Sequence, residues 1–348
     1  MAREQRENTA LKKLKADLSA RTPGSAYLFY GIEAYQRGYY LEQLRKVLVD
    51  KSFEQFNYHR LEGKELLIED LASAVETMPM MAERTLVVVV DLDIFKLGAN
   101  QREALIALLE DIPPYCCLVF VYDTIEYAPN RTMKKLCKAL DGHVQAVEFR
   151  QADTSSLLDW VRRRFQALGK DIGRAAAEHL IFTCGPLMTG LVQEIDKIAS
   201  YTEGAAVTEA DIDAVADPVL SASAFKMADA AAAGDYDRAA GLLGDLLKMQ
   251  TEPVLILGAL GGQLRRIYTA RMALDSGKDK YWLMDIWGYS SDYQVRMLLS
   301  AAKKVSLDWC AGAVKQCQVL DRRMKSERGF DGGDGLKLLL ARLGAERG

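Results

Sequence analysis

The segment whose spacing comes nearest to phosphate chemistry follows a short apolar run and reads Gly31-Ile32-Glu33-Ala34-Tyr35-Gln36-Arg37-Gly38. A P-loop requires GxxxxGK[ST], because backbone N–H groups, the lysine and the hydroxyl together hold the phosphates and magnesium. Gln36 and Arg37 replace the glycine and the lysine, and Glu33 would bring a carboxylate close to anionic phosphates. We therefore interpret Gly31, Gln36 and Arg37 as a degenerate P-loop position, and we expect neither a cofactor nor a metal ion there.

Asp91 is the second candidate for nucleotide chemistry, because it follows a run of four valines that ends a predicted strand. A carboxylate at this place could hold magnesium. The glutamate that activates water in ATPases of this architecture is absent beside it, where the sequence continues Leu92-Asp93. We favour the alternative that Asp91 caps the next element of structure.

Hydrolytic and thiol chemistry have little support. The histidines His59, His143 and His179 have no partners at triad spacing, and the chain contains no GxSxG motif. We expect His59 in a strand, His179 in a helix, and no catalytic residue. The cysteines form no CxxC pair and no zinc-ligand pattern, so we expect core residues in a reducing compartment. They are Cys116, Cys117, Cys137, Cys184, Cys310 and Cys317.

Basic residues form several small clusters although the 348-residue chain has a net charge of −3. Each cluster is interleaved with apolar helix positions, a pattern typical of solvated helix faces. A collective, electrostatic role beside DNA remains the alternative. The clusters are Arg162–Arg164, Arg265–Arg266 with Arg271, Lys303–Lys304, and Arg322–Arg323 with Lys325.

The methionine-rich segment Met78-Pro79-Met80-Met81 is the strongest candidate for a binding surface. Pro79 disfavours helix at Met78 and can itself begin a new turn. Met80 and Met81 would then lie directly beyond the end of the preceding helix. Methionine is flexible and polarizable and is frequent at protein-binding surfaces. From these residues alone, packing of the side chains in the core is favoured over a binding surface.

Alternating strand and helix patterns in the first part of the chain predict a parallel sheet covered on both faces. After Phe149 no further strong strand pattern occurs, and the chain is predicted to be helical. The predicted strands are Ala26–Gly31, Phe56–Gly63, Thr85–Asp91, Cys117–Asp123 and His143–Phe149. The predicted helices between them are Tyr35–Val49, Leu66–Met78, Asn100–Asp111 and Thr132–Leu140.

The helical part is divided by recognisable caps and breaks. Thr154 and Thr208 are predicted helix caps, Gly185–Pro186 is a break, and Gly329–Gly335 is a predicted flexible turn. The longer predicted helices are Ser221–Ala233, Tyr236–Met249, Pro253–Leu274, Asp292–Lys303, Ser306–Lys325 and Leu336–Leu343. The polar start of the chain lacks a signal-peptide pattern, and no apolar run, Leu86–Val90 included, is long enough to span a bilayer. We therefore expect a cytoplasmic protein.

Five segments, in order along nearly the whole chain, resemble the delta subunits of the bacterial DNA polymerase III clamp loader. In this family a basic amphipathic helix precedes the first strand, and an apolar pair precedes a basic residue and an apolar strand. The segments are LKKLKADL (Leu11–Leu18), AYLFYGIE (Ala26–Glu33), MPMMAERTLVVVVD (Met78–Asp91), GPLMTGLVQEIDKIASYT (Gly185–Thr202) and EPVLILGALGGQLRRIYTAR (Glu252–Arg271).

The resemblance implies an AAA+/RecA-like α/β domain without a P-loop over residues 1–150, a helical lid-like domain over 151–217 and a helical collar over 218–348. It implies that Met80 and Met81 enter a pocket of the beta sliding clamp and help to open the ring. It further implies an accessory subunit of a DNA polymerase with no active site of its own. Its partners would be the AAA+ subunits tau/gamma and delta-prime through the collar, and primer-template DNA, with no membrane.

Two alternatives stay open at this point. A divergent AAA+ ATPase could bind nucleotide through Arg37 and Asp91. The delta-prime subunit of the same loader is the other alternative, although that family usually carries a Ser-Arg-Cys motif and often a cysteine zinc module, and neither is found in this sequence.

Overall fold

The computed structural model describes residues 9–289 and 291–345. The chain divides into two compact units, Met1–Gln151 and Ala152–Gly348. The division into three domains, with a boundary after residue 217, stays a prediction. The first eight residues, which belong to the polar start noted above, lie outside the described residues.

A five-stranded sheet, parallel throughout and in the order β2-β3-β4-β1-β5, forms the centre of the first unit. β3 and β4 lie in the interior of the sheet and every one of their residues is buried, as their continuous β-branched and apolar sequences predict. The predicted α/β fold is thereby confirmed. The strands are β1 Ala26–Tyr30, β2 Tyr58–Glu62, β3 Thr85–Val90, β4 Cys116–Val121 and β5 Gln145–Glu148.

Helices cover both faces of this sheet, because successive side chains of a strand point to opposite faces and each apolar face must be buried. Val87 and Val89 pack into one cluster with Leu71 and Leu105, whereas Val88 packs on the other face into a separate cluster. The helices are α1 Thr9–Ser19, α2 Ala34–Leu48, α3 Glu54–Asn57, α4 Ile68–Glu76, α5 Ala99–Glu110 and α6 Lys134–His143.

Three predicted boundaries in the first unit are wrong. Phe56 and Asn57 belong to the short helix α3 rather than to the second strand, which begins at Tyr58. His143 ends α6 instead of opening the last strand. The helix predicted to reach Met78 ends at Glu76, since the chain is already extended at Thr77, with ψ of 120°.

The second unit is helical apart from a two-residue parallel pair, β6 Asp171–Ile172 with β7 Ala206–Val207. This pair was not predicted, because two residues are too few to show a strand pattern. The helices are α7 Thr154–Ala167, α8 Arg174–Cys184, α9 Met188–Tyr201, α10 Glu209–Val215, α11 Leu220–Ala233, α12 Tyr236–Lys248, α13 Pro253–Asp275, α14 Lys280–Trp287, α15 Tyr293–Ala302, α16 Leu307–Ser326 and α17 Gly332–Ala345.

Of the two helix caps predicted in this unit, one is confirmed and one is wrong by one residue. Thr208 caps α10 in a reciprocal capping box, as predicted, but the cap of α7 is Asp153, one residue before the predicted Thr154. The helix α14 was not predicted from the sequence.

The flexible turn predicted over Gly329–Gly335 is wrong at its carboxyl end, because Gly332–Gly335 forms the first turn of α17. A Cβ on Gly335 would lie 2.7 Å from Leu320 Cδ1, so a larger residue there would require the Leu320 side chain to shift.

Across residues 9–289 and 291–345, none of the helices is both long enough and apolar enough to cross a membrane.

Candidate protein-binding site

The degenerate P-loop position is occupied by the chain's own side chains. Arg37 is buried, and its guanidinium donates a hydrogen bond of 2.7 Å to the carbonyl oxygen of Gly31 and forms an ion pair with Asp123. Glu33, which directly precedes α2, is fully buried, and Gln36 lies half-buried within that helix. A cation that binds phosphates must point outward, but this arginine points back into its own loop.

Gly31 allows the turn after β1 to pack closely against the backbone of Phe149. Its φ of +112° lies in a region that other residues rarely adopt, and a Cβ would come within 2.4 Å of the carbonyl oxygen of Phe149. The backbone N–H of Glu33 donates to that same oxygen at 3.0 Å. The glycine that resembles the start of a P-loop therefore lets the turn after β1 lie against the end of β5.

Asp91 holds the neighbouring loop. Its carboxylate accepts hydrogen bonds from the backbone N–H groups of Asp123, Thr124 and Ile125, and from the Thr124 hydroxyl at 2.6 Å. Burial raises the pKa of this carboxyl, but the hydrogen bonds outweigh burial and leave the pKa below its usual value. The predicted cap of the next element is wrong, because Asp91 fastens the segment after β4 and not the element that follows it in the chain.

Replacing Asp91 with asparagine is expected to destabilise the first unit in a pH-dependent way. The folded-state pKa lies below the unfolded value of about 3.9, so the carboxylate contributes full stability above that value and loses it as the pH falls through the folded pKa. Urea unfolding followed by circular dichroism should show a constant difference between wild type and D91N from about pH 7 to about pH 5, and a shrinking difference below about pH 4. A difference that grows on acidification would contradict this role.

His179 and the six cysteines are buried within the fold. His59 lies in β2 and His179 in α8, as predicted. His179 is buried and contacts Tyr293 Oη at 2.8 Å and Asp213 Oδ1 at 3.1 Å, within the second unit. All six cysteines are buried and free, and burial raises the pKa of the Cys117 thiol to about 12. Among the described residues, no three His, Cys, Asp or Glu side chains form a group that could hold a metal ion.

Acidic neighbours pair with most of the basic clusters. Arg164 pairs with Asp196, and Lys304 with Asp229, at 3.3 and 3.0 Å. Arg271 and Lys325 each pair with a carboxylate on their own helix, and Arg323 pairs with Glu327, the residue directly after α16. These pairs are typical of solvated helix faces. Within the described part of the chain, Arg265 and Arg266 make no ion pair, and neither do Arg163, Lys303 and Arg322 of the other clusters.

Methionines 78, 80 and 81 project from the loop between α4 and β3. The exposed fractions of Met80 and Met81 are 48% and 77%, and that of Met78 is 77%. The alternative of core packing is therefore wrong for this segment. The predicted new turn at Pro79 is also absent, since the whole of residues 77–84 is irregular.

Hydrogen bonds fix this loop at its ends and at its centre. The Tyr115 hydroxyl donates to the carbonyl oxygen of Glu76 at 3.0 Å, where α4 ends. Arg84 donates to the carbonyl oxygens of Pro23, Gly24 and Cys116 at 2.5, 3.1 and 3.0 Å, just before β3 begins.

At the centre, the buried Asn57 makes two hydrogen bonds to the backbone of Met80. Asn57 Nδ2 donates to the Met80 carbonyl oxygen at 2.8 Å, and the Met80 N–H donates to Asn57 Oδ1 at 2.7 Å. Sequence reasoning missed Asn57 and Arg84. The position of Arg84 directly before a fully apolar strand was a weak signal that its side chain has a structural role. Asn57 gave no such signal, because it lay inside a segment that was wrongly predicted to be a strand.

The methionine loop and the degenerate P-loop position lie at opposite edges of the sheet. The loop enters β3 at its amino end, whereas Gly31 follows the carboxyl end of β1. Because all five strands are parallel, these ends face opposite ways. A protein-binding surface at one edge is thus separate from the edge at which nucleotide-binding sheets hold their ligand.

Two family models match the chain. The model for the DNA polymerase III delta subunit matches residues 27–150, and the model for the C-terminal domain of that subunit matches residues 221–342. The DNA polymerase III subunit delta of Bacillus subtilis is 24% identical over 308 residues, which span 86% of this chain and 87% of the relative. A probable delta subunit of Aquifex aeolicus is 22% identical over 303 residues, 85% and 84% of the two chains.

The fold also matches a solved structure, the DNA clamp loader delta protein of Bacillus subtilis. The TM-score is 0.53 at 23% identity, and the match covers 96% of this chain and 99% of that one. At this identity the likeness shows the fold, which is the predicted parallel sheet followed by helices.

The two family models follow one another in chain order and together span well over half of the residues. They agree with the family that the five sequence segments indicated, and they describe the delta subunit rather than the delta-prime alternative. Such a subunit is an accessory component of the clamp loader in DNA replication. The chain therefore belongs to the family of DNA polymerase III delta subunits.

Proposed function

We propose that this chain binds the beta sliding clamp through Met80 and Met81 and helps to open the ring for loading onto primed DNA. The observation that supports this most is the exposure of both methionines on a loop that hydrogen bonds hold at both ends and at its centre. Large apolar side chains exposed together on an ordered loop are typical of binding surfaces.

Met80 and Met81 form the tip of the methionine loop. The clamp ring would open if this tip binds the open form of the clamp more tightly than the closed form. Burying a methionine side chain contributes about 1.5–3 kcal/mol before ordering costs are subtracted. A ligand shifts a conformational equilibrium only by its difference in affinity for the two states. A pocket that adapts to the two side chains at the interface of clamp subunits would provide this difference.

The subunit is proposed to be non-catalytic. Arg37 is engaged with Gly31 and Asp123, Glu33 is buried where phosphates would lie, and Asp91 fastens a loop. Each residue that the ATPase alternative needs thus already has a structural partner. The energy for loading would come from the neighbouring AAA+ subunits.

The helices after residue 218 are proposed to form the collar that joins tau/gamma and delta-prime. They enclose one large apolar core and still expose Val254, Leu255, Val319 and Leu338, each more than two-fifths accessible. Exposed apolar residues around a well-packed core are available to neighbouring subunits. Primer-template DNA would lie within that assembly, and we place the protein in the cytoplasm.

Binding of the whole chain to a purified bacterial ring clamp tests this function. We expect saturable binding by the wild-type chain without ATP, and co-purification with clamp-loader AAA+ subunits. Titration of the isolated chain with ATP should show no micromolar binding. Absence of clamp binding would refute the proposal, and micromolar ATP binding would favour the ATPase alternative.

A further inference from the structure

We infer that Asn57 is a positioning residue that holds the Met80–Met81 tip in its binding conformation before the clamp arrives. This inference rests on the proposed function, since it names the residue that prepares the same surface. Asn57 is fully buried, so it cannot itself touch the clamp.

The pairing of Asn57 with Met80 is reciprocal and specific. The Met80 N–H requires an acceptor and the Met80 carbonyl requires a donor, and one amide side chain supplies both, at 2.7 and 2.8 Å. Both polar atoms of a buried side chain are thus used on one residue, 23 positions away along the chain. Such an arrangement fixes the backbone of Met80 while leaving its side chain free to project.

Asn57 is itself well anchored. It is the last residue of α3 and directly precedes β2, whose Tyr58 pairs in register with Leu86 of β3. The amide therefore stands beside the point where the methionine loop enters the sheet. Movement of the loop away from Asn57 would break both hydrogen bonds while the sheet stays in place.

The backbone at the tip needs such support. Met81 has φ of +53°, a left-handed conformation that is unfavourable for residues other than glycine, asparagine and aspartate. Without the bonds to Met80, the loop would sample many other conformations. Because only a fraction of molecules would then be competent to bind, the apparent affinity would fall by that fraction.

Two measurements on the whole chain test this role. Hydrogen exchange of the free protein should show a protected Met80 amide in wild type and a fast one in N57A. Binding kinetics with the ring clamp should show association about tenfold slower in N57A, because two lost hydrogen bonds release the loop, with dissociation little changed. N57D retains the acceptor for the Met80 N–H and lacks the donor, so it should keep partial protection of that amide.

V147A is the matched control for lost stability. Val147 is fully buried in β5, at the other side of the sheet from β2. Its truncation should lower stability while leaving exchange at Met80 and the association rate of the folded fraction unchanged. A Met80 amide that exchanges equally fast in wild type and N57A, or wild-type association by N57A, would overturn the inference. Failure of the wild-type chain to bind the clamp would instead refute the proposed function, and the exchange measurement would still decide what Asn57 does.

Discussion

Replacing Met80 and Met81 together with serine is expected to weaken binding to the ring clamp by about 100-fold or more. Each buried methionine contributes about 1.5 kcal/mol or more, and about 1.4 kcal/mol corresponds to a tenfold change in affinity. The lost contacts should appear mainly as faster dissociation. Equilibrium binding to the immobilised clamp, with rates from the same sensor, measures both effects.

The fold of the double variant should be unchanged. The methionine side chains are largely exposed, and the hydrogen bonds from Asn57 reach only the backbone of Met80. The matched control is Met249→Ser, which removes a methionine that is 69% exposed at the end of α12 in the second unit. M249S should bind like wild type. Wild-type affinity in the double variant would assign the clamp contact to another surface.

Residue types alone predicted much of the first unit, because its strongest signals are local. Four consecutive valines and the run Cys117–Val121 are apolar throughout, and this pattern is typical of strands that are buried on both faces. The loss of the P-loop could also be predicted from the sequence, since Arg37 replaces the P-loop lysine and Glu33 would bring a carboxylate close to the phosphates. The partners of Arg37, which are Asp123 and the Gly31 carbonyl, could not be predicted from the sequence because they depend on how the loops meet.

The candidate site was predictable in its position but not in its exposure. A methionine serves a core as readily as a surface, so Met80 and Met81 alone left both possibilities open. The hydrogen bonds of Asn57 join residues from different elements, and no periodicity indicates such a pair.

The motif Glu-Ile-Asp-Lys in α9 shows the same limit. Its resemblance to the family was visible in the sequence, but its role was not. Glu194 accepts a hydrogen bond from the backbone N–H of Asp217 at 3.1 Å, and Lys197 bridges the two carboxylates at 3.0 and 2.7 Å. The charged residues therefore tie α9 to the segment that follows α10, a long-range contact that only the structure supplies.

Gly31→Ala is expected to destabilise the first unit by about 3 kcal/mol or more, the largest stability effect that we anticipate. Left-handed backbone costs alanine about 1–2 kcal/mol, and a Cβ 2.4 Å from the Phe149 carbonyl oxygen forces β1 and β5 apart. Since a Cβ at Gly38 of α2 meets no heavy atom within 4 Å, Gly38→Ala is the matched control and should be neutral or stabilising.

All four tryptophans lie in the second unit, so their fluorescence cannot report on this sheet directly. Hydrogen exchange of peptides that cover β1 and β5 is therefore the appropriate measurement, with the tryptophan unfolding transition as an internal reference. We expect faster exchange in G31A, wild-type exchange in G38A and a tryptophan transition close to wild type in both. Because the methionine loop lies at the opposite edge of the sheet, the fraction of G31A that remains folded should still bind the clamp with wild-type affinity. Wild-type exchange in G31A would show that the turn after β1 tolerates a side chain, and the glycine would then have to be explained by something other than packing against Phe149.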